Sequence, residues 1–137
     1  MDIQYSKLVQ SASKGRLKAY APYSEFAVGA AVQCRSGAVY LGANIENISY
    51  GLTICAERIA MANAVTAGER EFVAIAVVAD TTEPIVPCGA CRQFLAEFAA
   101  DLTIVSATLR SRQKIENLSV LLPDSKRGIL KDNVHTP

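Results

Sequence analysis

Three features of the sequence predict an α/β protein, a three-layer α/β/α sandwich built on a mixed β-sheet. The run "FVAIAVVAD" (72–80) is apolar and β-branched with no polar alternation, as a strand covered on both faces must be. "FAVGAAVQC" (26–34) and "AVYLGAN" (38–44) are apolar runs split by "RSG", the pattern of a hairpin. Segments of helical composition alternate with strand segments along the rest of the chain, which places helices on the faces of one sheet.

In order, Tyr5, Leu8, Val9, Ala12 and Leu17 recur at close to helical spacing and predict a helix over roughly 3–20. Gly15 weakens it and Pro22 ends it. The hairpin follows. "ERIAMANAVTAG" (57–68) is rich in alanine and other good helix formers, with Gly68 where a helix C-cap belongs. After the buried strand, "CRQFLAEFAA" (91–100) returns to helical composition and "LTIVSAT" (102–108) to strand; Phe94, Leu95 and Phe98 are placed in the core. A shorter C-terminal helix or strand completes the order. No linker, repeat or low-complexity tract interrupts the sequence, so residues 1–137 are assigned to a single domain.

Half of the residues are apolar and formal net charge is +1, from fourteen basic and thirteen acidic side chains. A nucleic-acid binder usually gathers a basic excess on one face, so this balance points to a small-molecule substrate and away from a polynucleotide. The N-terminal stretch lacks the apolar core of a signal peptide and no window reaches membrane-spanning length. A cytoplasmic protein is expected, in which four cysteines serve as thiolates or buried thiols rather than disulfides.

Two of those cysteines stand in "PCGAC" (87–91), a spacing shared by redox couples, structural zinc knuckles and catalytic metal sites. His135, the sole histidine, lies in a polar tail and is a poor ligand, while Cys34 ends an apolar strand and reads as a buried thiol. Cys55 differs: it opens the helix of "TICAER", with Glu57 two residues on. Cys88 and Cys91 share one side of a first helical turn, and two helix N-termini aimed at one point favour thiolates. Three thiolates leave the fourth position of a tetrahedral zinc open, as a catalytic site requires. A redox pair has no use for the upstream "CAE", and a closed structural site needs a fourth protein ligand.

"CAE" followed some thirty residues later by "PCGAC" is the three-cysteine signature of zinc nucleobase deaminases. With "APYSEFAVGAA" and "NIENISYG", these motifs make the chain similar to the small, homotetrameric cytidine deaminases over most of its length. The resemblance implies zinc-dependent hydrolysis of cytidine or 2′-deoxycytidine to the uridine product and ammonia, a pyrimidine-salvage step. It assigns one Zn2+ per subunit to Cys55, Cys88 and Cys91, and proton transfer to Glu57. It places Phe26 against the base, Asn44 and Glu46 on the ribose 3′-hydroxyl, and the Ala56 backbone N–H on the base carbonyl. Tyr50 matches a tyrosine that reaches the 5′-hydroxyl in a neighbouring subunit, which implies a homotetramer with shared sites. Arg58 matches an arginine that hydrogen-bonds the thiolates, and Gln93 is given a supporting role behind them.

One position departs from the pattern. The family carries a phenylalanine three residues after "LLP", closing over the base from another subunit; here that residue is Lys126, and no aromatic follows Phe98. Either the tail is simply polar, or the pocket serves another aminopyrimidine such as blasticidin S. Rivals of other classes are a polynucleotide deaminase, against which the near-zero charge counts, and a silent zinc-binding interaction module, against which the intact Glu57 counts.

Overall fold

Five strands in the order β2-β1-β3-β4-β5 separate two helical layers in the computed structural model, which describes residues 3–125. The strands are β1 (Val28–Cys34), β2 (Val39–Ala43), β3 (Phe72–Ala79), β4 (Thr103–Thr108) and β5 (Gln113–Asn117). The helices are α1 (Ser6–Arg16), α2 (Ala56–Thr66), α3 (Gly89–Phe98) and the short α4 (Leu118–Leu121). β3 and β4 are parallel, joined by the crossover through α3, and every other neighbouring pair is antiparallel. The mixed sheet and the sandwich are as the sequence predicts.

Alternation along the strands assigns the two faces. Ala30, Val32, Ile75, Val77 and Ile104 face α2 and α3, packing on Ala60, Met61, Ala64 and Leu95. Ala31, Ala74, Ala76, Val78, Val105 and Ala107 face the other way, onto Leu8, Val9 and Ala12 of α1. That second face is paved largely with alanine, so α1 rides close to the sheet. A Cβ on Gly29 would sit 2.0 Å from the Ala12 carbonyl oxygen. Gly42 is the matching point on the first face, where a Cβ would lie 2.4 Å from both the Ala56 oxygen and the Ala60 nitrogen.

Boundaries shift in informative ways. α1 ends at Arg16 rather than near residue 20, yet Gly15 lies inside it, buried, where an added Cβ would press 3.0 Å from the Gly42 oxygen. α2 stops at Thr66, and Gly68, at φ 101°, takes the left-handed conformation its position promised. α3 begins at Gly89, two residues before the segment that composition marks, so Cys88 becomes its N-cap. The C-terminal part contains both a strand and a helix: β5, mostly polar and only partly buried, pairs with β4 at the sheet edge, and α4 buries Leu118. Phe94 is 37% exposed rather than core, its ring tilted against Phe98 with centroids 5.8 Å apart, while Leu95 is fully buried. Lys126 and His135 lie outside the described residues.

Candidate active site

Two helix N-termini converge where the sequence places the cysteines. Cys55 is the N-cap of α2 and Cys88 the N-cap of α3, both in extended conformation, and Cys91 sits one turn into α3. Neither cap uses its side chain to bond the helix, so both sulfurs are turned elsewhere. The three Sγ atoms lie within 4.8 Å of one another, with Cys55 and Cys88 3.9 Å apart. Cys91 is buried, Cys55 half-buried and Cys88 exposed, so the cluster opens on one side. The initial N–H groups of each helix have no intrahelical acceptor and add partial positive charge there. Cys34, by contrast, is buried apart from the cluster, and burial reinforced by the Glu69 charge pushes its thiol up to about 11.

As free thiols the sulfurs hydrogen-bond to one another. Donation from the Cys91 thiol, with help from Arg58 and Cys88, pulls Cys55 down to about 5 despite burial. Cys91 is pushed upward, first as donor to Cys55 and then by burial. The Arg58 Nη2 group donates to Cys55 Sγ at 3.7 Å and to the Thr53 carbonyl at 3.5 Å, as the sequence reading places it. Three closely grouped thiols are a soft donor set suited to zinc, and no histidine or carboxylate among the described residues joins them. The set fits one Zn2+ per chain, with a fourth position that none of the described residues fills.

Glu57 lies in the first turn of α2 and is 5% exposed. Burial, with the Cys55 charge beside it, pushes its carboxyl up to about 7 against the opposing effects of its own backbone N–H and Arg58. It lines a cleft of about 240 Å³ together with Phe26, Asn44, Glu46, Ala56 and the sulfurs of Cys55 and Cys88. Five of the residues named from sequence for substrate and proton transfer therefore share one cavity with two of the proposed ligands.

The far wall is positioned by a small ladder outside the main sheet. Ile45 and Ile54 exchange two backbone hydrogen bonds of 2.9 Å, and Tyr20 brackets the same segment through Asn44 and Glu46. This carries residues 44–46 alongside the chain that enters Cys55. Asn44 is buried; its Oδ1 accepts from Val28 N–H at 2.9 Å and its Nδ2 donates to the Phe26 carbonyl at 2.8 Å. Glu46 accepts from the N–H groups of Tyr23 and Ser24 at 3.0 and 3.1 Å, and from the Ser24 hydroxyl. The Ser24 hydroxyl is the foremost reason its carboxyl is held below the usual range.

Tyr50 and Gln93 line neither the cleft nor the sulfur cluster. Tyr50 is 74% exposed and lines an adjoining cavity with Tyr23, Ser24, Glu46 and Thr53. Gln93 is exposed on α3, and its Nε2 donates to the Ser125 carbonyl at 3.3 Å rather than to a sulfur. Sequence reasoning passes over Ser24, Thr53, Ile85 and Val86, all of which line the cleft. Sequence alone leaves Arg92 between a solvent-facing and a subunit-interface group; in the structure it donates to the carbonyls of Pro87, before the first ligand of α3, and Leu121 of α4. The apolar "IV" held between Pro84 and Pro87 is a usable signal for a wall; the arginine offers none.

Comparison with known proteins agrees with this geometry. Residues 2–107 match the family model described as the cytidine and deoxycytidylate deaminase zinc-binding region. The chain is 51% identical to a cytidine deaminase of Halalkalibacterium halodurans over 85% of its own length and 89% of the relative's. A cytidine deaminase of Sporosarcina psychrophila is 46% identical, with 90% of each chain covered. The crystal structure of cytidine deaminase from Burkholderia pseudomallei superposes with a TM-score of 0.85 at 46% identity, covering 90% of this chain and 98% of the other. The crystal structure from Mycobacterium tuberculosis gives 0.77 at 39% identity, with 90% and 97% covered. Fold, donor set and sequence agree: the chain belongs to the zinc-binding cytidine and deoxycytidylate deaminase family.

Proposed function

We propose that the chain is a zinc-dependent deaminase that hydrolyses the C4 amino group of cytidine and 2′-deoxycytidine, leaving the uridine product and ammonia. One observation carries the reading: a buried carboxylate, Glu57, shares its cleft with a three-sulfur cluster at two helix N-termini. Relatives of this length and identity that bear the name cytidine deaminase support the substrate.

Cys55, Cys88 and Cys91 would hold the zinc, which when bound supplies the Lewis acidity that makes water ionisable at a pKa of roughly 7. The protein's own residues do the rest. Glu57 takes a proton from the attacking water and passes it to ring N3, while the water oxygen bonds to C4. It then takes the second proton of that oxygen and delivers it to the amino nitrogen as the C4–N4 bond breaks. A carboxyl held near 7 is suited to both directions of transfer. The Ala56 N–H, without an acceptor inside α2, donates to the base carbonyl, and the Phe26 ring packs on the base. Glu46 accepts from the 3′-hydroxyl; Asn44, with one Nδ2 hydrogen committed to Phe26, offers the other to the same oxygen.

Arg58 offsets the negative charge that three thiolates concentrate at the cluster. Arg58→Gln is expected to lower kcat and move the acidic limb of the pH–rate profile upward; an unchanged profile removes this role. We place the enzyme in the cytoplasm, where its free cysteines stay reduced, and assign it to a homotetramer. Exposed Ile48, Tyr50, Leu52 and Ile54 beside the cleft supply apolar surface for a neighbouring subunit. Elution at monomer mass with full activity would refute the assembly. The reaction itself is tested by zinc analysis and by loss of ultraviolet absorbance on cytidine, deoxycytidine, cytosine and blasticidin S. Zinc bound without turnover of either nucleoside would sink the proposal, and turnover of blasticidin S alone would move it to the antibiotic.

A further inference from the structure

We infer that Ser24 is a positioning residue that ties the sugar-binding carboxylate to the base-binding ring, so that its hydroxyl sets nucleoside affinity rather than the rate of chemistry. The inference rests on the roles proposed for Glu46 and Phe26. The Ser24 hydroxyl stands between them: it donates to Glu46 Oε2 and accepts from the Phe26 N–H at 3.0 Å. The same residue's N–H, with that of Tyr23, fills Glu46 Oε1. A carboxylate offers about four lone-pair directions, so this clasp occupies three and leaves one, on Oε2, for a hydroxyl of the substrate.

The turn that holds this arrangement is an improbable one for the chain to keep unaided. Glu25, between Ser24 and Phe26, adopts φ 56°, in the left-handed region that costs an L-residue free energy. Its N–H closes the turn onto the Ala21 carbonyl at 3.0 Å, and the remaining ties come from Glu46 and Ser24. Without the hydroxyl, Oε2 loses the donor that aims its free lone pair, and Phe26 N–H loses its acceptor. Both consequences fall on binding. Neither touches Glu57 or the sulfurs, which hang from α2 and α3 on the opposite wall. Ser24 lines the cleft and the adjoining cavity alike, so the clasp is also the partition between them.

The test is steady-state kinetics of the zinc-loaded enzyme with cytidine. Ser24→Ala is expected to raise KM about tenfold and leave kcat within about threefold, with zinc content unchanged. Ser24→Thr, which keeps the hydroxyl, is expected within about threefold of wild type in both constants. Should Ser24→Ala fail to fold, Ser24→Val against Ser24→Thr compares equal shapes that differ only in the hydroxyl. A KM within about twofold of wild type for Ser24→Ala, while Glu46→Ala raises it strongly, overturns the inference and leaves the sugar reading standing. A fall in kcat alone overturns it too. If Glu46→Ala itself leaves KM unchanged, the sugar reading fails and takes this inference with it.

Discussion

Glu57→Gln is expected to reduce kcat by about 10⁴ while the protein keeps its fold and its zinc, because the proposed mechanism routes every proton transfer through this one carboxyl. The same substitution is expected to stabilise the metal-free protein at pH 8. The folded carboxyl holds its proton up to about 7, against an ordinary value of 4.5. Between those values the folded state binds more protons than the unfolded one, so stability falls as pH rises through that window and levels off above it. Glutamine carries no such penalty. Its advantage is on the order of 3 kcal/mol at pH 8 and vanishes near pH 4, at about 1.4 kcal/mol for each pH unit separating the two values. Urea melts of the two proteins at both pH values measure it. Equal stability at pH 8 would show that Glu57 is solvated rather than buried, and would weaken its assignment as the proton carrier.

Gly42→Ala is expected to cost about 3 kcal/mol of stability and, in the protein that still folds, about a hundredfold in kcat. The added methyl would meet backbone of α2 at 2.4 Å on both sides of its first turn, at Ala56 and Ala60, and neither can swing aside as a side chain can. The helix must move instead. Its first turn carries Glu57 and its cap is Cys55, so a displacement that repacking tolerates becomes a misplacement at the chemistry. Denaturant melts and kinetics of the purified variant measure the two effects. A variant with lowered stability and wild-type kcat would show that α2 can tilt about its N-terminus and hold the site still.

These two residues differ in how openly the sequence displays their roles. Glu57 is legible because its distance from Cys55 is short and the paired "PCGAC" gives that distance a meaning. The helix and strand composition likewise marks β3, α2 and the hairpin, whose apolar runs are long. Gly42 looks like any glycine within a strand; its importance comes from a helix packed over it, and no local pattern encodes that approach. β5 is half-hidden for another reason: "QKIEN" is polar on both sides because the edge of the sheet is wet. Arg92 bonds to backbone carbonyls, and Ser24 to a backbone N–H and the distant Glu46 carboxylate, partners whose positions depend on the completed fold. The shift of α3 toward Cys88 belongs with these, since proline and glycine mask a helix start that only the paired cap reveals.

The alanine-paved face under α1 divides the molecule's mutational future in two. All three cysteines of the cluster and Glu57 hang from helices on the other side of the sheet, so substitutions among Leu8, Val9, Ala12, Ala74 and Ala76 act on lifetime before they act on turnover. Drift there can trade stability up or down with the chemistry nearly untouched, and stabilising replacements sought for a durable catalyst belong on that face. The opposite layer has no such freedom. A lineage that explored new substrates would have to change the cleft wall while drawing its spare stability from the α1 side.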